Sequence, residues 1–158
     1  MLPEYLNIKH VDKRLREPIV RLNKLPYVVT ISSCEGHVSN DVDGWYLSEG
    51  LITLQTDGSN KAKDFLKRLE YFCSKYDFVS LMDGEPKTEE QINDAMNDRR
   101  YREKYRVYGF KFPLGRDESY IVADRLEDDK EIVIDAKRKV NRFWKELTYE
   151  LSALEVLN

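Results

Sequence analysis

The chain has 158 residues, enough for one domain and few for two, and we predict a single domain over residues 1–158. A hydrophobic content of 41% excludes a disordered chain, although 35% of the residues are charged. The 26 basic and 29 acidic side chains give a net charge of −3. The overall charge therefore does not attract the protein to nucleic acid or to an anionic membrane.

The ends of the chain and its cysteines indicate where the protein works. Residues 1–10 contain no apolar block typical of a signal peptide, and no stretch is apolar enough to span a membrane. The two cysteines do not provide a disulfide framework. We therefore expect a cytoplasmic protein with no membrane partner.

The first predicted elements are a helix, a strand and a hairpin. Apolar residues at helical spacing predict a helix over residues 12–24, with Pro18 as a kink or in its first turn. Residues 27–31 are rich in β-branched side chains and predict a buried strand. Residues 45–47 and 51–55 flank a short glycine-containing turn, which predicts a hairpin.

The second half of the chain predicts three helices and more strands. Ser59 is expected to cap an amphipathic helix, and Thr88 with Gln91 fits a capping box for a helix that ends near residue 97. Strands are predicted at residues 78–82, 105–112 and 119–123, the last two as a hairpin.

The last helix is predicted from about residue 129 to residue 157, although residues 131–135 would also suit a strand. Its long apolar stripe also suits a dimer interface. These elements predict an α+β fold, or an α/β fold with a mixed sheet. Four to six strands in hairpins would pack against amphipathic helices.

The loop after the first strand is the richest in reactive side chains. Within six positions it combines two hydroxyls, a thiol, a carboxylate and an imidazole, and Gly36 permits a positive φ. We expect catalytic roles for Cys34 and His37, with help from Asp43. The residues expected to bind a small polar ligand are Ser32, Ser33, Glu35 and Gly36.

Other interpretations of this loop remain open. Cys34 and His37 would form half of a metal site, and completing it would need Cys73 or the pair Asp41 and Asp43. Because Cys73 is predicted in the core, we predict no metal site. In three further interpretations the loop is the active site of a Cys/His hydrolase, the ligand site of a binding module without chemistry, or a purely structural loop.

Three short runs carry a family resemblance. Residues 19–23 (IVRLN), 25–27 (LPY) and 30–38 (TISSCEGHV) resemble the start of the wybutosine-synthesis family of tRNA methyltransferases. The resemblance covers about residues 12–38. It implies a shared fold, S-adenosylmethionine as cofactor, a tRNA as partner and the loop as part of the active site.

The charges are unevenly distributed. Residues 83–98 and 117–135 are acidic, whereas residues 99–111 are basic and contain interleaved aromatic residues. Basic and aromatic side chains together suit RNA, because they bind phosphates and stack on unpaired bases. The aromatic residues would also suit a strand in the core. The candidate RNA-binding residues are Arg99, Arg100, Arg102, Lys104 and Arg106.

Overall fold

The computed structural model describes residues 7–84, 88–100, 102–103 and 117–156. The helices are α1 (Arg16–Lys24), α2 (Asn60–Cys73), α3 (Glu89–Asn97) and α4 (Lys130–Val156). The strands are β1 (Val28–Cys34), β2 (Val38–Asp41), β3 (Gly44–Leu47), β4 (Gly50–Thr56), β5 (Val79–Asp83), β6 (Glu118–Ala123) and β7 (Leu126–Asp128). Two 3₁₀ turns, Ile8–His10 and Lys13–Leu15, precede α1. The predicted α+β class and the long C-terminal helix are confirmed.

The strands form two antiparallel sheets. The larger has the order β1-β4-β6-β5 and the smaller has the order β2-β3-β7. The predicted hairpin between residues 45–47 and 51–55 is wrong, because β3 pairs with β2 and β7 while β4 pairs with β1 and β6. Strand β4 has seven residues and pairs with β1 and β6, which have seven and six. Strand β3 has only four residues and would leave part of β4 unpaired.

The predicted local signals at the helix ends are confirmed. Ser59 Oγ accepts a hydrogen bond from Ala62 N at 3.2 Å, and Thr88 and Gln91 bond each other reciprocally at 3.0 and 3.1 Å. Pro18 lies in the first turn of α1. Residues 131–135 are helical, and the predicted strand over residues 105–112 lies outside the described residues.

The hydrophobic core lies between the helices and the two sheets. Helix α1 packs against β1 and α4, α2 packs against β5 and contacts α4, and α4 packs along β3 and β7 of the smaller sheet. At its centre Phe143 and Trp144 of α4 are fully buried, and Phe143 stacks on Phe72 of α2 with 5.8 Å between the ring centroids. Cys73 is buried in this core, as predicted. Across the described ranges no helix combines the length and the apolar character needed to cross a membrane.

A buried polar contact fixes α1 against β1. Asn23 Nδ2 donates to Thr30 Oγ1 at 2.8 Å, and Thr30 N donates to Asn23 Oδ1 at 3.2 Å. Both residues belong to the runs that carry the family resemblance. This contact sets where the segment preceding α1 lies relative to the end of β1, and therefore relative to the loop that follows.

Candidate functional site

Ser48 contacts the backbone of the loop between β1 and β2. Gly36 has φ +84°, as predicted, and a Cβ there would approach Ser48 O to 3.0 Å. Ser48 Oγ accepts from His37 N at 2.8 Å, and Ser48 N donates to His37 O at 2.9 Å. Glycine is therefore required at position 36 both by its φ and by the close carbonyl.

Helix α4 holds the same loop from the other side. Trp144 Nε1 donates to Glu35 O at 3.0 Å, and Lys137 Nζ donates to Gly36 O. Burial lowers the pKa of Lys137, although the nearby Glu35 carboxylate acts in the opposite direction. The loop is thus fixed by buried contacts to the longest helix of the molecule.

Asp12 brings a carboxylate to the loop from the segment before α1. Its Oδ2 accepts from Glu35 N at 2.9 Å and lies 3.1 Å from His37 Nε2. Partial burial acts to raise the pKa of Asp12, but hydrogen bonds from Glu35 N, His37 and Cys34 outweigh it and lower that pKa. The carboxylate oxygen, the Cys34 sulfur and an imidazole nitrogen all lie within 4.8 Å of one another.

Glu35 adds a second carboxylate on the opposite side of the imidazole. Its side chain is only 15% exposed, and its Oε1 lies 4.0 Å from His37 Nδ1. Its Oε2 is 3.6 Å from Arg14 Nε and 3.8 Å from Lys137 Nζ. His37 therefore has an acidic neighbour at each ring nitrogen, and two cations balance the charge of Glu35.

The structure brings together some of the predicted site residues and separates others. Cys34, Glu35, Gly36 and His37 lie together. Ser32 and Ser33 belong to β1, where Ser32 Oγ donates to Thr53 Oγ1 at 3.0 Å and Ser33 pairs with Ile52.

Asp43 lies in the β2–β3 turn, at the far end of that hairpin from His37, and its N donates to Asp41 Oδ1 at 2.8 Å. Cys73 is buried in α2. Neither Asp43, Asp41 nor Cys73 belongs to the cluster around Cys34.

Asp12 is the residue of the candidate site that the sequence does not predict. It lies outside the Ser32–His37 loop in the chain and follows no periodic pattern. Its one distinguishing feature is that it is the only acidic residue in the otherwise basic stretch over residues 9–16. An isolated acid in such a stretch would have been the available signal.

The predicted RNA-binding residues lie only partly within the described residues. Arg99, Arg100 and Arg102 are exposed, and Arg99 Nε pairs with Glu103 Oε1 at 3.0 Å. Lys104 and Arg106 lie outside the described residues, as does the aromatic part of that segment.

A second basic surface, not predicted, lies on α4. Arg138, Arg142 and Lys145 are exposed and spaced by four and three residues, so they share one face of the helix. Among the described residues, no carboxylate lies within ion-pair distance of these three. Tyr149, 64% exposed, continues the row four residues further on. We call these four residues the α4 basic row.

A cavity of about 360 Å³ opens at the tip of the smaller sheet. Trp45 forms part of its wall, and Lys130 Nζ lies 5.2 Å from the centroid of that ring. The lining residues are Asp41, Asp43, Gly44, Trp45, Tyr46, Arg125 and Glu127.

No family model matches the chain, and neither a curated protein nor a solved structure matches it at a significant level.

Proposed function

We propose that this protein binds single-stranded nucleic acid along the α4 basic row and acts on it at the Cys34–His37 loop. RNA is the class of nucleic acid that the family resemblance implies. The observation that supports the proposal most directly is the row itself. Its three cations have no acidic partner among the residues that the structure describes, and an exposed aromatic ring follows them.

The chemistry of the row suits a strand with unpaired bases. Arg138 and Lys145 are seven residues apart, which is about 10 Å along a helix and covers about three stacked nucleotides. The cations would bind phosphates, and the ring of Tyr149 would stack on a base. A duplex would hide its bases from that ring.

The row is connected to the loop through Lys137. This residue directly precedes Arg138 in α4 and donates to Gly36 O. Its side chain is 17% exposed, so it mainly supports the loop, whereas the His37 side chain is 52% exposed and open to a bound strand. Successive residues of a helix are rotated by about 100°, so the row lies about a quarter turn around α4 from the side that holds the loop. A strand bound on the row would have to extend around α4 to reach His37.

S-adenosylmethionine, the cofactor implied by the resemblance, would supply an activated methyl group. The cavity of about 360 Å³ has a suitable size but lies at the Asp43 end of the β2–β3 hairpin. The length of β2, about 10 Å, separates it from His37. This cavity does not fit methyl transfer at the loop, because it opens at the other end of β2. Binding of the cofactor stays a prediction.

The proposal is tested by fluorescence anisotropy with a labelled 20-nucleotide single-stranded RNA. The triple variant Arg138→Glu/Arg142→Glu/Lys145→Glu should bind the RNA at least about 100-fold more weakly, because three phosphate contacts are reversed in sign. The matched control reverses three exposed cations of α2, in the variant Lys61→Glu/Lys67→Glu/Arg68→Glu. It should change the affinity by less than about threefold.

Several outcomes of this experiment are informative. Equal losses in both triple variants, or no binding by the unaltered protein, would contradict the proposal. Stronger binding to a duplex than to the single strand would contradict the role of Tyr149. Calorimetric titration with S-adenosylmethionine then tests the cofactor separately. A bound strand that is never altered would identify a binding module without chemistry.

A further inference from the structure

We propose that Asp12, Cys34 and His37 form a binding site for a divalent transition-metal ion, with Zn²⁺ as the best match. The site belongs to the loop of the proposed function, but binding of the metal requires no nucleic acid. The sequence alone pairs Cys34 with His37 and offers Cys73, or Asp41 and Asp43, to complete a site, because Asp12 approaches from another part of the chain.

The positions of the three ligand atoms are close to those of a tetrahedral metal site. Bond lengths of about 2.0 to 2.3 Å place neighbouring ligand atoms of zinc about 3.3 to 3.6 Å apart. The three atoms lie within 4.8 Å of one another, and Asp12 Oδ2 is 3.1 Å from His37 Nε2. Side-chain shifts of about an ångström would complete the coordination.

The groups behind the ligands also resemble those of metal sites. Carboxylates and backbone groups that contact the ligands usually fix their orientation. Here Glu35 N donates to Asp12, and Glu35 Oε1 lies 4.0 Å from His37 Nδ1. This leaves Nε2 of the imidazole directed at the cluster. Arg14 and Lys137 balance the charge of Glu35, so the ligand set does not face an uncompensated acid.

The same geometry argues against Cys34 and His37 as a nucleophile and its base. In such a pair the imidazole lies between the thiol and an orienting carboxylate. Here His37 Nε2 lies 3.1 Å from Asp12 Oδ2, the Cys34 sulfur lies within 4.8 Å of the ligand atoms of both, and no hydrogen bond joins the thiol to the imidazole in the part of the chain that the structure describes. That arrangement suits three ligands around one ion better than a proton relay.

A mixed sulfur, nitrogen and oxygen donor set indicates zinc among the common metals. Three protein ligands leave a fourth position for water or for an oxygen of a substrate, as in zinc sites that perform chemistry. On binding, the Cys34 thiol would release its proton to solvent and bond the metal as a thiolate.

The experiment titrates ZnCl₂ alone into the chelator-treated full chain by isothermal calorimetry. We expect one ion per chain. Asp12→Asn, Cys34→Ser and His37→Gln should each weaken binding by about 100-fold, and Glu35→Gln by about tenfold. The matched controls are His10→Gln and Asp41→Asn, which alter the same residue types outside the cluster and should leave the affinity unchanged.

A second measurement needs no variant. Cobalt(II) in place of zinc should give the intense near-ultraviolet absorption of a thiolate bound to cobalt, and Cys34→Ser should abolish it. The proposal would be overturned if the unaltered protein bound no zinc, or if the three ligand variants bound zinc as tightly as the unaltered protein does. A cobalt spectrum without the thiolate absorption would also overturn it.

Thermal unfolding of each metal-free variant separates the loss of a ligand from the loss of the fold. The α4 triple variant should bind zinc normally, and the Cys34→Ser variant should still bind RNA in the presence of chelator. The two proposals therefore fail independently.

Discussion

The two cysteines of the chain lie in regions of opposite character. Cys73 lies in the core between α2 and α4, beside the aromatic residues Phe72, Tyr76 and Phe143, and burial raises the pKa of its thiol to about 12. Cys34 is half-buried at the end of β1 and contacts charged and polar side chains instead. The same side chain is an apolar filler in the first region and a candidate ligand in the second.

The largest expected effect is the difference in thiol reactivity. A rise in pKa from 9.0 to about 12 lowers the thiolate fraction of Cys73 about 1,000-fold at pH 8, and burial adds to the protection. Iodoacetamide should therefore label Cys34 much faster than Cys73 in the chelator-treated native protein, because burial both raises the pKa of the Cys73 thiol and shields it from the reagent.

Peptide mass spectrometry after timed quenching measures both labelling rates. The Cys34→Ser variant should lack the fast phase, and denaturant should make the two thiols react alike. Comparable labelling rates of the two cysteines in the native protein would contradict the expected difference in thiol reactivity between the loop and the core.

The next effect concerns the backbone of the loop. Gly36→Ala should lower the free energy of unfolding by about 2 to 3 kcal/mol, because it combines a left-handed φ with a contact to the fixed carbonyl of Ser48. Gly58→Ala is the matched control: its φ is +71°, but its close neighbour is the side chain of Asp117, which can move. The control should cost about 1 kcal/mol.

Urea unfolding of the two variants gives the comparison. The difference between them isolates the contact with Ser48 O from the strain that both share. If Gly58→Ala costs as much as Gly36→Ala, the loop is less tightly held than its hydrogen bonds indicate.

The sequence allowed prediction of features that depend on neighbours in the chain. The caps at Ser59 and Thr88, the positive φ of Gly36 and the burial of Cys73 all follow from patterns within a few residues. The grouping of Cys34 with His37 is likewise local.

Features that depend on distant pairing could not be predicted. In the two-sheet arrangement β4 pairs with β1 and β6 and not with β3, its neighbour in the chain. Strand β7 is hard to predict because it has only three residues, of which two are acidic. Asp12 contacts Glu35 from a position 23 residues earlier in the chain, which no local pattern indicates. The sequence does not single out the α4 basic row, because the apolar stripe is the stronger pattern in the same helix.

The smallest expected effect lies in the core region, at the hydrogen bond from Tyr76 to Glu146. Burial, together with this hydrogen bond, raises the pKa of Tyr76 above its ordinary 10.0. A raised pKa in the folded state adds stability that is complete below pH 10 and is lost as the pH rises through the folded value. Tyr76→Phe should therefore lower the free energy of unfolding by about 1 kcal/mol at pH 8.

At pH 11 Tyr76 is ionised in the unfolded state, while the folded side chain keeps its proton. Ionisation stabilises the unfolded state, so the unaltered protein loses the stability that the Tyr76 hydroxyl adds. The free energy of unfolding of Tyr76→Phe should therefore approach that of the unaltered protein. Urea unfolding at both pH values measures this change. The control is Tyr149→Phe, which alters an exposed tyrosine on α4. Its free energy of unfolding should differ from that of the unaltered protein by the same amount at both pH values. A constant cost for Tyr76→Phe from pH 8 to pH 11 would mean that the hydroxyl only fills space. In that case polar contacts would matter at the loop around Cys34 and not in the core around Cys73.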